Sequence, residues 1–214
     1  NTDYLDIYFC HRFDRNTPLT ETVEAMDDLI NARKIHYWGT SVWTAAKLER
    51  AYAIAKSLNL NPPKVEQPQY NMISRYIETE ILETVDYLGM GVVTFSPLAQ
   101  GILTGKYNNG VPKGSRGDTT DWLKWDLTES NLEKVRNLRP IANELGLSMA
   151  NLSLSWILRK KEITSVITGA SKPEHVRENV KASEIELTTD ILERIDEILG
   201  NKPELPGIYH PPEI

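Results

Sequence analysis

Residues 36–67 read HYWGTSVWTAAKLERAYAIAKSLNLNPPKVEQ, and this stretch decides the fold class. His36-Tyr37-Trp38-Gly39-Thr40-Ser41 is a short apolar strand. Thr44 opens a helix that sets Leu48, Tyr52, Ala55 and Leu58 on one face. Pro62-Pro63 stops it, and Lys64-Val65-Glu66-Gln67 is a second strand. Strand, helix and strand within about 30 residues make a βαβ unit, whose two strands run parallel.

The alternation continues in both directions. Upstream, residues 5–10 read as a buried strand. Thr17-Pro18 then reads as a helix start with a hydroxyl cap and proline in the first turn, ahead of Leu19, Val23, Met26 and Ile30 at helical spacing. Downstream, Ile77, Ile81, Val85 and Leu88 pattern a helix, and residues 91–96 a strand ended by Pro97. Residues 101–127 are long and irregular. Two helices follow, one patterned by Leu132, Val135, Leu138, Ala142 and Leu145, the other capped by Ser148 and carrying Leu152, Trp156 and Ile157. Residues 164–168 are the fifth strand. Ser171-Lys172-Pro173-Glu174 is a capping-box pattern opening a helix with Val176 and Val180. A last helix carries Ile191, Ile195 and Ile198. Five strands separated by helices imply a parallel sheet, as an open doubly wound sheet or as a barrel. No Gly-x-Gly-x-x-Gly follows a strand, so the Rossmann fingerprint is absent.

Composition excludes several classes. The net charge of −6 argues against nucleic acid or an anionic membrane as the main partner. The lone Cys10 forbids an internal disulfide and fits a reducing compartment. No apolar run is long enough to cross a bilayer. There is no zinc spacing, Gly-x-Ser-x-Gly elbow, Walker motif or calcium loop. The chain enters an apolar strand almost at once from Asn1, and the expectation is that a front end is missing.

In a barrel, reactive residues sit where strands end. Those positions hold His11, Ser41, Gln67, Phe95-Ser96 and Gly169-Ala170-Ser171. His11 can polarise or protonate a carbonyl oxygen, or be a loop histidine held by Asp14. Phe95 can stack on a flat ring, or simply pack. Lys106 and Arg116 flank the long loop and can clamp a phosphate, or be solvated loop charges. The helix start after Ser171 offers free N–H groups suited to a phosphate, while Ser171 itself can act as a plain cap. Among the tryptophans, Trp38, Trp43 and Trp156 read as packing; Trp122 and Trp125, in the long loop, are candidate exceptions.

The runs Tyr8-Phe9-Cys10-His11-Arg12-Phe13-Asp14, Trp38-Gly39-Thr40-Ser41, Glu66-Gln67-Pro68-Gln69-Tyr70-Asn71, Phe95-Ser96-Pro97-Leu98-Ala99-Gln100-Gly101 and Leu103-Thr104-Gly105-Lys106-Tyr107 resemble the aldo-keto reductases in order and spacing. So do Gly169-Ala170-Ser171 with Glu178-Asn179, and residues 198–203. The resemblance is closest to the branch of voltage-gated potassium channel β-subunits and their microbial relatives.

It implies a (β/α)8 TIM barrel whose last five βα units and C-terminal helix lie in residues 1–201, followed by a Pro-rich tail at 202–214. It implies a cytoplasmic protein that reduces aldehydes or ketones to alcohols with NADP(H), or, as the alternative, a cofactor-sensing β-subunit-like regulator of a potassium channel. Partners are then a small carbonyl substrate and further copies of the chain. Ser41 and Gln67 match residues that hold the carboxamide, and Phe95 the aromatic that stacks on nicotinamide. Ser96, Leu98 and Gln100 match the pyrophosphate loop, and Thr104 a polar loop contact. Lys106, Arg116, Ser171, His175, Glu178 and Asn179 match the adenosine and 2′-phosphate end, and Gly169 is a further cofactor-binding position. Of the family's catalytic Tyr, Lys, Asp and His, only the His has a counterpart, His11. The other three precede Asn1, so the resemblance implies that these residues alone are inactive. Val42 stands where the family has Asn or Arg, and His175 where many members have Arg or Gln.

Overall fold

The computed structural model describes residues 2–203. Five strands, β1 (Leu5–Cys10), β2 (Ile35–Thr40), β3 (Val65–Glu66), β4 (Gly91–Thr94) and β5 (Ile163–Val166), form one sheet. All neighbours are parallel and the order is β1-β2-β3-β4-β5. This order settles what the periodicity left open. Each crossover advances one strand in the same direction, as in a (β/α) barrel, whereas a doubly wound sheet reverses at a switch point. β1 and β5 are the sheet's two edges.

The helices are α1 (Leu19–Asn31), α2 (Ala45–Ser57), α3 (Ile81–Leu88), α4 (Arg116–Thr119), α5 (Glu129–Glu144), α6 (Met149–Leu158), α7 (Pro173–Val180) and α8 (Thr189–Leu199). The apolar stripes read from the sequence face one continuous core, which includes Val23, Leu48, Val85, Val92, Leu138, Leu152, Trp156 and Ile195. Buried Trp38 donates its indole N–H to Asn61 O at 2.8 Å, and Asn61 donates to the Asp27 carboxylate of α1 through its backbone and its amide. That relay ties α1, β2 and the loop before β3 together. Gly39 is required by a close approach: a Cβ there would lie 2.7 Å from both the Phe9 ring and Val65 O.

Several local expectations are corrected. Thr17 does not cap α1; its hydroxyl donates to Asp14 Oδ2 at 2.7 Å, and Pro18 occupies the cap position. Leu58 lies one residue past α2 and is exposed, so the buried face runs through Ala45, Leu48, Ala51 and Ala55. Ile77 is buried on a separate 3-10 turn, Tyr76–Glu78, before α3. The capping box at 171–174 is not made: α7 starts with Pro173 at its first position and no side-chain cap. Val176 and Val180 are exposed. The segment 101–127 is pinned by a 3-10 turn (Ala99–Thr104), α4 and a further turn (Asp121–Leu123), with Tyr107 and Leu123 buried. Within the tail assigned to 202–214, residues from 204 onward lie outside the described residues.

Candidate functional site at the carboxyl end of the sheet

The ladder continues beyond the strands and sets their ends side by side. Ser41 N donates to Cys10 O (3.1 Å), Gln67 N to Thr40 O (2.8 Å), Phe95 N to Pro68 O (3.0 Å) and Ile167 N to Thr94 O (2.8 Å). His11, Ser41, Gln67, Phe95 and the 167–171 segment therefore share one rim. Ser41 Oγ donates to Gln67 O at 2.8 Å and accepts from the Arg12 guanidinium at 3.2 Å. His11 is exposed at the end of β1. Asp14 is not its holder: that carboxylate accepts from Asn16 N and the Thr17 hydroxyl, bonds that keep it below the usual carboxylate range.

Next to this rim lies a cavity of about 910 Å³. Ser96, Leu98, Gln100, Thr104, Lys106, Arg116, Gly169, Ser171, His175, Glu178 and Asn179 all line it. Ser41, Gln67 and half-buried Phe95 do not; they continue the rim toward β1. Sequence reading missed Ser115, Ser148 and Met149 on the wall. Ser148 was visible only as the cap of α6, a role it fills by accepting from Asn151 N at 3.1 Å. Trp38, Trp43 and Trp156 are buried packing residues, whereas Trp122 and Trp125 are exposed.

The cavity's chemistry suits an anion. Among the described residues, Lys106 and Arg116 belong to no ion pair within 4.0 Å. Ser171, ahead of α7, and His175, in its first turn, line the same cavity, at the end of the helix that carries a partial positive charge. Gln100 Oε1 and Ser115 Oγ are buried without a partner among the described residues. Gly101 has φ +103°, and a Cβ on it would lie 2.6 Å from Lys106 Cε, so glycine lets the lysine lie across the loop. Among the described residues, Glu178 is the one wall carboxylate. It accepts from Lys181 Nζ (2.8 Å) and Asn151 Nδ2 (2.9 Å), and the bond from Lys181 holds it below its ordinary pKa.

Strain gathers at the same end. Val42, Ser96, Ala99 and Gln100 all have left-handed φ, between 46° and 59°. Such backbone persists where the surroundings impose it, as at binding sites. Beneath Ser41, the side chain of Glu66 is enclosed. It accepts from the Thr40 hydroxyl and from Trp43 N, the latter at 3.2 Å. Burial pushes its carboxyl up to about 7 against the pull of those bonds and of Arg12. Residue pattern did not reveal this role, because a strand residue preceding a polar site residue carries no special signal. Among the described residues, no group of three or more His, Cys, Asp or Glu is placed to hold a metal, and no helix is long and apolar enough to cross a membrane.

Comparison with known proteins agrees with this architecture. The model of the Aldo/keto reductase family matches residues 1–200. Over 214 residues the chain is 42% identical to a protein of Arabidopsis thaliana named "Probable voltage-gated potassium channel subunit beta". It is 41% identical to one of the same name from Oryza sativa subsp. japonica. In each case 97% of this chain is covered and 65% of the relative, so the chain spans somewhat under two thirds of their length.

Proposed function

The chain belongs to the aldo/keto reductase family, whose fold is the (β/α)8 barrel, and on that premise we propose that it binds NADP(H) for the reduction of aldehydes or ketones to alcohols. The observation that carries this reading is the gathering of Lys106, Arg116, Ser171 and His175 around one cavity beside the rim of Ser41, Gln67 and Phe95.

In this reading Lys106, Arg116, His175 and Asn179 hold the adenosine and 2′-phosphate end, with Ser171 and Gly169 closing on it. Glu178 meets the adenosine side rather than a phosphate, since it is already a paired anion. Ser96, Leu98, Gln100 and Thr104 flank the pyrophosphate. Ser41 and Gln67 orient the carboxamide, and Phe95 stacks on the nicotinamide ring. The cofactor, when bound, supplies hydride to the carbonyl carbon. His11 sits on the rim where it can hold and polarise the carbonyl oxygen. No residue of 1–214 takes the family's proton-donor tyrosine position, so we assign cofactor binding to these residues and reduction to the whole protein. Residues 1–201 act as the cofactor-binding unit, in a cytoplasmic protein that forms homo-oligomers.

Titrating the chain with NADPH while following tryptophan fluorescence tests the reading. We expect saturable quenching, weakened about tenfold by Lys106→Ala and by Arg116→Ala, the loss of one charge-assisted contact each. Absence of quenching from a folded chain sinks it.

The names of the relatives favour a second reading, a β-subunit-like regulator of a potassium channel. The two part at His11. If it serves reduction, His11→Asn in the full-length protein lowers turnover of a test aldehyde and leaves NADPH affinity unchanged. A regulator without turnover shows no such difference.

A further inference from the structure

Glu66 is fully buried, and the cofactor reading gives it no role. It sits in β3 opposite Thr40 of β2. Its two oxygens accept from the Thr40 hydroxyl and from Trp43 N, so the carboxylate bridges the turn between those residues. That turn contains Val42 at φ +59°, a conformation unfavourable for a β-branched side chain. Trp43 is itself fixed, buried edge-on against the Phe13 ring at 4.9 Å. Ser41, inside the turn, donates to Gln67 O, and Gln67 N donates back to Thr40 O. The other ionisable groups facing Glu66 are Arg12, from the loop after β1, and Tyr76, on the turn before α3. Neither forms an ion pair with it within 4.0 Å among the described residues. An enclosed carboxylate without an ion pair is costly to keep. Its bonds go to the segment that displays Ser41.

We propose that Glu66 is a positioning residue, whose carboxyl oxygens clamp the strained 40–43 turn so that Ser41 and Gln67 are presented together to the nicotinamide end of the dinucleotide. This rests on the cofactor reading above.

The full chain is titrated with NADPH and with 2′,5′-ADP, which carries the phosphates of the adenosine end and no nicotinamide. We expect Glu66→Ala to weaken NADPH about tenfold and to leave 2′,5′-ADP within about twofold, because its effect is confined to one end of the ligand. Glu66→Gln keeps an oxygen for Trp43 N–H, and the Thr40 hydroxyl can turn to accept from its amide. This variant should rescue NADPH binding to within about threefold of wild type. If Glu66→Ala does not fold, Thr40→Val removes one of the two donors at nearly constant shape, and should weaken NADPH alone by about threefold. A wild-type chain that binds neither compound overturns the cofactor reading and this inference with it. A wild-type chain that binds both overturns the inference alone if the variants keep their NADPH affinity, or if they lose both compounds in step.

Discussion

The clamp formed by Glu66 has a thermodynamic cost that titration can expose. In the unfolded chain its carboxyl titrates near 4.5; in the folded chain burial raises it to about 7. The folded state therefore prefers the protonated form. The penalty is absent below the unfolded value, grows as pH rises from 4.5, and is complete above about 7. A shift of this size is worth about 3 kcal/mol at ~1.4 kcal/mol per unit, as an upper bound. Glu66→Gln cannot ionise. It should match wild-type stability near the bottom of that window and exceed it above the top, by up to ~3 kcal/mol. Urea unfolding at the two pH values measures this. An equal difference at both would show that the carboxyl is not titrating in the folded chain. A group that lowers stability at neutral pH and touches the strained turn beside Ser41 fits a site kept for binding rather than for folding.

At the scale of elements, what the sequence made legible follows from periodicity, and what it hid follows from tertiary contacts. All five strands and the apolar faces of α1, α5, α6 and α8 are repeated patterns, and residues such as Val23, Leu138, Trp156 and Ile195 are buried as expected. Caps were less legible, because a hydroxyl near a helix start has competing partners. Thr17 is taken by Asp14, and Ser171 lines the cavity instead of capping α7. The cofactor-side cluster was readable as a family motif; Glu66 belongs to one of those runs, but its bridging role was not legible, since its partners Thr40 and Trp43 lie more than twenty residues away. The same applies to the knot that joins the turn before α3 to α6 and α8. Arg75 pairs with Glu78 and Asp196, Arg159 pairs with Glu78, and both guanidiniums lie against the Trp156 ring. Burial pushes the Glu78 carboxyl up, but the bonds from Arg75 and Tyr70 and the charge of Arg159 outweigh it and hold it below its ordinary value. Its stabilisation is therefore present above pH 4.5 and lost as pH falls below it. Glu78→Ala leaves the enclosed Arg159 guanidinium without its carboxylate partner and Arg75 with Asp196 alone, and should cost about 3–5 kcal/mol. A loss under about 1 kcal/mol by urea unfolding would show that the knot is not a stabilising unit.

For the molecule as a whole, the parallel sheet leaves β1 and β5 as edges, each without a further strand partner among the described residues. The β1 side is also apolar: Tyr4, Leu5, Tyr8 and Tyr37 are each between 44% and 54% exposed. Exposed apolar side chains beside an open strand edge favour pairing with another chain, and a net charge of −6 opposes it only weakly at physiological salt. We expect the 214-residue chain to self-associate, its weight-average sedimentation coefficient rising across about two decades of micromolar concentration. Tyr8→Lys places a charge on that edge, the device by which natural sheets block edge pairing. It should return the chain to a concentration-independent species while NADPH binding at the other strand ends is retained. If wild type sediments as a monomer throughout, the β1 edge is adequately protected by the chain's own residues. If Tyr8→Lys associates as strongly as wild type, the contact lies elsewhere, and the exposed Val176 and Val180 of α7 become the surface to vary next.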